Sequence, residues 1–247
     1  MIPFAHSTTQ LLTVILKQNH RLLSVILASS LGLTWMPSSY AGERIRWTPD
    51  SDRGSVESTL SGGRRGQAAV SCNAAHHATQ LALLIPKHQD SLLTTRAQPT
   101  LAWQITTATP VSMTFHLSDP DLATPIYTRA LQLEKTSVVS LTLPENYHLT
   151  AGKRYRWTVF VSCPGDHQAE ISARSFVEYV DRESLDVNHL SNLEQARAYA
   201  DRGIWYDAIA VLLTGNHEET DAETMVQSLL EQGESSAEAT LSAVVHL

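Results

Sequence analysis

One segment, residues 149–163, constrains the fold more than any other part of this sequence. A corner that contains glycine leads into a run in which Tyr155, Trp157, Val159 and Val161 occur at every second position. Such alternation predicts a β-strand with one buried face. In a two-layer β-sandwich, a tyrosine just after such a corner can bond its hydroxyl to the upstream backbone. The segment therefore predicts a fold and identifies no reaction.

Short β-like segments with turn residues between them recur over about 100 residues, the size of an immunoglobulin domain. These seven segments are 81–86, 100–106, 111–117, 126–133, 137–143, 154–162 and 170–180. We therefore predict an all-β sandwich of the immunoglobulin or fibronectin type over residues 67–180. Trp103 and Trp157 should meet between its sheets, and Tyr155 should belong to the same core.

The amino-terminal part, residues 1–41, is predicted to be a secretory signal peptide. Residues 22–36 form an uncharged apolar run of 15, shorter than the about 20 needed to cross a bilayer. Small residues, Ser39 and Ala41, then occupy the two positions that a signal peptidase reads. An uncleaved membrane anchor is the alternative. In both cases we expect the rest of the chain to be exported. Residues 42–66 are polar and rich in glycine, which predicts a flexible linker.

Cys72 and Cys163 are the two cysteines of the sequence, and both follow the predicted signal peptide. In an exported chain a disulfide between them is expected. The bond would close a loop of about 90 residues and stabilise the fold by about 4–5 kcal/mol. Two free thiols are the alternative. Two cysteines are too few for a four-cysteine zinc site.

Charge is distributed unevenly along the chain. Residues 181–247 carry 13 acidic and 3 basic side chains, whereas residues 42–180 carry 12 acidic and 13 basic ones. Local acidity of this kind is typical of a solvated helical surface. It argues against nucleic acid as a partner, because that interaction needs a basic face.

Helical signals begin in the acidic part. Capping boxes at 191–194 and 220–223 predict two helix starts, a third helix should begin near Trp205, and glycines at 203, 215 and 233 should end the three helices. We predict a helical module over residues 181–233 and a C-terminal tail over residues 234–247 that is weakly helical at best.

Small residues in the first two predicted helices allow close packing, and their order around Trp205 and Tyr206 resembles one tetratricopeptide unit. A single unit cannot bury its own apolar face. We therefore expect these helices to dock on the sandwich or on a partner, with Trp205, Tyr206 and Asp207 as the candidate partner surface. Carbohydrate stacking by Trp205 and Tyr206 is a further hypothesis. The simpler interpretations are preferred: a core role for Trp205 and, for Asp207, a negative charge favoured in the first helical turn.

Several short motifs resemble those of a known family, the cyanobacterial domain of unknown function 928. In order they are Gly63-Arg64-Arg65-Gly66, Cys72, Leu84-Ile85-Pro86, Pro99, Leu143-Pro144, Leu149–Gly152–Tyr155–Trp157 and Gly203-Ile204-Trp205-Tyr206-Asp207-Ala208. The resemblance covers roughly residues 63–233. It implies a secreted cyanobacterial protein and supplies no catalytic residue to carry over.

Two groups of polar residues could have a chemical function, and each also has a simpler structural explanation. Cys72 followed by adjacent histidines at 76 and 77 could bind zinc only with a reduced thiol, and an exposed histidine pair is the preferred reading. Asp119 and Asp121 near His116 could form an acid–base group, but Asp-Pro-Asp is a common turn sequence. No Gly-x-Ser-x-Gly motif is present. We expect no cofactor, no metal and no catalytic site.

These observations favour a non-enzymatic protein-binding or scaffolding module, exported to the periplasm, cell envelope or exterior, with an envelope protein as partner. No transmembrane span is expected once the signal is removed. A glycan-binding sandwich is the alternative. That alternative needs two or three exposed aromatic side chains on one face, and the burial expected for Trp103 and Trp157 counts against it. A hydrolase is the third hypothesis.

Overall fold

The alternating segments form strands in the structure, which is a computed structural model of the chain. It describes residues 45–49, 69–72, 79–87, 92–165, 169–181, 186–215, 219–235, 237 and 241–247. The predicted signal peptide and most of the predicted linker lie outside these residues. The described part is mostly β-structure, with two five-stranded sheets and three short α-helices toward its carboxyl end.

The first sheet joins strands that are far apart in the sequence. In spatial order they are β1 (Ala69–Cys72), β2 (Thr79–Leu83), β4 (Thr100–Thr106), β7 (Ser137–Thr142) and β10 (Val244–His246). Neighbouring strands are antiparallel, except that β10 runs parallel to β7.

The second sheet contains the strand that follows the glycine corner. In spatial order its strands are β3 (Leu92–Thr94), β9 (Glu170–Tyr179), β8 (Arg154–Ser162), β5 (Val111–Ser118) and β6 (Tyr127–Leu133). The short edge strand β3 is parallel to β9, and the other pairs are antiparallel.

Aromatic side chains from both sheets meet in the interior. The ring centroid of Trp103 on β4 lies 5.8 Å from that of Phe115 on β5 and 6.4 Å from that of Trp157 on β8. Both tryptophans and Tyr155 are buried. The Tyr155 hydroxyl accepts a hydrogen bond of 3.1 Å from the backbone N–H of Thr150, so the corner is held to the strand that follows it.

Three helices follow the second sheet: α1 (Asn192–Ala200), α2 (Trp205–Thr214) and α3 (Glu219–Gln232). Ser191 caps α1 in a reciprocal capping box with Glu194, and Gly203 follows the helix with a φ of +73°. The predicted start of α3 is wrong, because Thr220 lies inside the first described turn of the helix.

The helices do not form a separate module, which corrects the predicted boundary at residue 181. Helix α2 contacts β3, β4 and both neighbouring helices. Its residues 205–213 are all buried, and residues 41–247 form one compact unit. A helix that is apolar on every side is stable only when it is covered on every side.

The predicted weakly structured tail contributes a strand to the first sheet, which corrects the assignment of residues 234–247. A short 3-10 helix, Leu241–Ala243, leads into β10. The Leu247 backbone then donates to the Ser140 carbonyl at 3.0 Å and accepts from the Thr142 N–H at 3.2 Å. Three residues are too few to show a period of two, so the sequence pattern missed this strand.

The described part of the predicted linker, residues 45–49, is packed on the helices, and we call it the strap. Ile45 and Trp47 are buried. The Thr48 N–H donates to the Ala200 carbonyl at 3.2 Å. The expectation of a flexible linker is therefore wrong for the strap, because two apolar side chains hold it in place.

Replacing Gly233 with alanine is expected to destabilise the fold by about 1–3 kcal/mol. A Cβ at this position would lie 2.6 Å from the Pro86 Cβ and 2.8 Å from the Pro86 Cα. The glycine is required for this close approach, while the left-handed residue of the turn is Glu234, with a φ of 51°. Thermal unfolding measures the effect. The exposed Glu231→Ala variant is the control, and equal stability of both variants would contradict the assignment.

Candidate functional site

The residues expected to form a partner surface, Trp205, Tyr206 and Asp207, lie in the interior, so that prediction is wrong. Their exposed fractions are 0%, 2% and 1%. The ten residues of α2, WYDAIAVLLT, are apolar on all faces apart from Asp207 and Thr214. That pattern indicates a buried helix and could have been recognised in the sequence.

Asp207 is a buried carboxylate with three hydrogen-bond donors from the last residue of β3 and the residue that follows it. Its Oδ1 accepts from the Thr94 hydroxyl at 2.6 Å. Its Oδ2 accepts from the Thr95 N–H at 2.9 Å and also from the Thr95 hydroxyl. The carboxylate lies in the first turn of α2, where the helix dipole favours a negative charge. Asp207 therefore fastens α2 to an edge strand of the second sheet.

Tyr206 connects α2 to the core of the sandwich. Its hydroxyl accepts from Trp157 Nε1 at 2.8 Å and donates to the Phe176 carbonyl at 2.9 Å. Burial raises the pKa of the Tyr206 phenol above its ordinary value, and hydrogen bonds with the Ser175 and Trp157 side chains oppose this shift. The arrangement therefore keeps the phenol neutral and structural.

Replacing Tyr206 with phenylalanine is expected to cost about 2 kcal/mol, because the buried Trp157 N–H loses its acceptor. The raised pKa also predicts a pH dependence. The contribution of the neutral phenol is complete below the ordinary tyrosine pKa of about 10 and is lost as the pH rises above it. Denaturant unfolding at pH 8 and at about pH 10.5 measures both effects. Tyr127→Phe is the control, and an unchanged alkaline loss in Tyr206→Phe would contradict the prediction.

The two cysteines form the predicted disulfide. Cys72 at the end of β1 is bonded to Cys163, the residue after β8, with a Cα–Cα distance of 5.7 Å. Cys72 therefore has no thiolate to offer a metal, and the two histidines that follow it lie outside the described residues. Where the structure describes the chain, no three His, Cys, Asp or Glu side chains cluster closely enough to hold a metal ion.

Asp119 and Asp121 form the turn that their sequence favours. The Asp121 N–H donates to the Asp119 side chain at 3.0 Å. Lys153 Nζ lies 2.6 Å from Asp119 and 2.9 Å from Asp121. The hydrogen bond from Lys153 lowers the pKa of the Asp119 carboxyl, and the carboxylates raise the pKa of Lys153. Asp119 is therefore held in its ionised form by Lys153 and is not prepared to act as an acid.

The outer surface of the second sheet carries basic and aromatic side chains where β8 and β9 run side by side. These are Arg154, Arg156, Arg174, Phe160 and Phe176, which we call the arginine face. Arg156 and Arg174 are exposed, and the other three are partly buried. Arg156 lies opposite Phe176 in the register, so Arg156 and Arg174 are diagonal neighbours, about 7–8 Å apart at the backbone.

The aromatic rings of the arginine face are held by their neighbours. The Arg154 guanidinium lies 6.0 Å from the Phe176 ring centroid. The His116 ring lies 5.0 Å from that of Phe160. Among the described residues, no carboxylate forms an ion pair with Arg156 or Arg174. The face therefore presents positive charge and apolar ring surface together.

The described part is a mostly β protein with two five-stranded sheets and a buried helix, α2, that contacts a strand of each sheet. Each of its described helices is too short or too polar to cross a membrane. The chain belongs to the family described as Domain of Unknown Function (DUF928), whose family model matches residues 60–242. No curated protein matches the sequence significantly.

Proposed function

We propose that this protein is an exported, non-enzymatic protein-binding module of the cell envelope, and that the arginine face is its partner surface. The observation that carries the proposal is the shared position of Arg156, Arg174 and the two phenylalanine rings on one exposed sheet surface. Arginine and aromatic side chains are enriched at protein interfaces, where they supply much of the binding energy.

The chemistry of the face favours an acidic protein partner. Guanidinium groups bind carboxylates through two parallel hydrogen bonds, and they also stack on aromatic rings. Acidic side chains of the same sheet surface, Glu170 and Glu178, lie at the ends of β9 rather than at its centre. A surface with aspartate or glutamate at strand-like spacing would therefore complement this face.

The proposal includes the finer class of the fold. We infer an immunoglobulin-type sandwich, with β1 and β10 as additions at the two edges of the first sheet. The order β3-β9-β8-β5-β6 opposite β2-β4-β7 supports this inference, since it resembles an immunoglobulin sandwich with an added strand beside its third strand. The bond from Tyr155 to Thr150 also supports it, because it resembles the tyrosine corner of that fold class. We also infer that α1 and α2 form a tetratricopeptide-like hairpin, since the two helices contact each other and their small residues Ala196, Ala200 and Ala208 are buried.

Export is supported by two features of the chain. The disulfide is typical of an oxidising compartment. The amino-terminal sequence has the pattern of a secretory signal. We propose an envelope location, in a cyanobacterial cell, on the basis of these features and the family resemblance.

A charge-reversal experiment tests the arginine face. The full chain carrying Arg156→Glu and Arg174→Glu serves as bait beside the wild type in crosslinking capture from envelope extract. We expect the wild type to retain a specific protein in a salt-sensitive manner and the variant to lose it by at least tenfold. Point substitutions are required because deletion of residues 181–247 would remove α2 from the core.

The matched control carries Lys135→Glu and Arg202→Glu, two exposed positions away from the face with the same change in net charge. Equal capture by the wild type and both variants would refute the arginine face as the partner surface. Capture of an acidic polysaccharide in place of a protein would favour the glycan-binding alternative, although the face offers partly buried phenylalanines rather than exposed tryptophans.

A further inference from the structure

We propose that the surface beneath the strap is a recognition groove for an extended Ile-x-Trp segment, and that the strap of a second copy of this chain is its alternative occupant. Side chains of the strap are alternately buried and exposed, as in a peptide bound in an extended conformation. Ile45 and Trp47 are buried at 2% and 8% exposure, while Arg46, Thr48 and Pro49 are exposed. This alternation places two side chains in pockets and leaves the others free to vary.

Backbone groups of the strap are bound in a way that does not depend on its side chains. Gln232 Oε1 accepts from the Trp47 N–H at 2.8 Å, and Gln232 Nε2 donates to the Ile45 carbonyl at 2.8 Å. The Thr48 N–H adds a bond to the Ala200 carbonyl. The side-chain amide of Gln232 therefore pairs with the strap as a neighbouring β-strand would.

The floor of the groove is built without the strap. Trp47 contacts Trp205 edge to face, with 4.8 Å between ring centroids. Trp205 is itself fully buried, and its Nε1 donates to the Leu84 carbonyl at 2.8 Å. Gln232 is also oriented by its bond to the Ser228 carbonyl at 3.0 Å. The pocket for Trp47 therefore keeps its framework when the strap leaves.

A second copy can supply the occupant because the strap is joined to β1 only through residues 50–68, which the sequence predicts to be a polar linker. Nineteen residues can span about 60 Å when extended, enough to reach a neighbouring molecule. Exchange of an identical element is a low-cost route to dimers. The tethered strap competes at an effective concentration in the millimolar range, so exchange requires crowding of copies.

Peptide binding in trans tests the groove. A fluorescein-labelled peptide of residues 42–50 is titrated into the full chain and into its Trp47→Ala and Thr48→Pro variants. The first variant loses the buried indole and the second loses the N–H that donates to the Ala200 carbonyl, so each should release the strap. We expect both variants to bind the peptide at least tenfold more tightly than the wild type. The peptide carrying Trp47→Ala should not bind, and adding Gln232→Ala to the Trp47→Ala chain should weaken binding at least tenfold.

Absence of saturable peptide binding to both released variants, with their fold verified by circular dichroism, would overturn the groove. Exchange between copies is tested by mixing the Trp47→Ala chain, which has a groove and no functional strap, with the Gln232→Ala chain, which has a strap and a weakened groove. Light scattering should detect a heterodimer that neither chain forms alone. A mixture that stays monomeric at concentrations where the peptide saturates the groove would overturn the second copy as occupant.

Discussion

Replacing Cys72 and Cys163 together with serine is expected to lower the free energy of unfolding by about 4–5 kcal/mol, the largest effect anticipated for this protein. The cysteines are separated by 91 positions in the sequence, and their bond ties β1 of the first sheet to the end of β8 in the second. Loss of a bond that closes so long a loop frees the unfolded chain more than the folded one. Denaturant unfolding under non-reducing conditions measures the change.

Reduction of the wild type provides an independent form of the same experiment, because it should lower the unfolding midpoint to that of the double serine variant. Ser162→Ala, at an exposed neighbour of Cys163, is the control and should change little. The oxidised chain should also be lighter than the reduced chain by two hydrogens. A midpoint that does not respond to reductant would show that the bond does not contribute as expected.

Replacing Asp207 with alanine is expected to cost about 3 kcal/mol, the second largest effect. The substitution removes the acceptor of the Thr94 hydroxyl and of both Thr95 donors. Buried donors without partners bear the full cost of their lost hydration. Asp207→Asn should cost less, about 1–2 kcal/mol. The asparagine keeps one oxygen acceptor for either Thr94 or Thr95, but its NH2 group faces the donors of the other threonine.

Asp201→Ala is the matched control, since this aspartate is exposed just after α1. Its effect should stay within about 0.5 kcal/mol. A double-mutant cycle of Asp207→Asn with Thr94→Val should also reveal coupling between the two side chains. Additive effects in that cycle, or equal costs at Asp201 and Asp207, would contradict the role assigned to Asp207.

Much of the β-structure follows from local pattern. The alternation around Trp157 and around Trp103 predicts which side of each strand is buried, because the side-chain period of a strand is two. The disulfide follows from the count of two cysteines in a chain whose sequence predicts export. The sequence favours a core role for Trp205, but burial of α2 on all its faces was not predicted, because the expectation of a docked module rests on a repeat resemblance rather than on the apolar character of the helix.

The remaining fold features depend on contacts between distant residues. The strap shows only two alternating apolar residues, Ile45 and Trp47, and its burial requires Gln232 far along the chain. Gly233 ends its helix as predicted, but the closeness of Pro86 that demands glycine is a tertiary contact. Such contacts leave no local signature that a single sequence can display.

The arginine face was partly visible in the sequence. Arg154 and Arg156 flank Tyr155, so burial of the tyrosine places both arginines on the outer side of the same strand. The position of Arg174 beside them depends on the register between β8 and β9. Register is set by the turn and by packing of the whole sheet, and it could not be assigned from spacing alone.

The position of β10 has a consequence for the order of events during biogenesis. Strand β7 receives β10 as its neighbour only after β8, β9 and all three helices have followed it in the chain. Until then, the hydrogen-bonding groups along that edge of β7 lack their final partner, and open strand edges readily pair with other chains. A growing or prematurely terminated polypeptide therefore exposes an edge of β7 that β10 covers in the folded protein, and this edge is a site where other chains can pair.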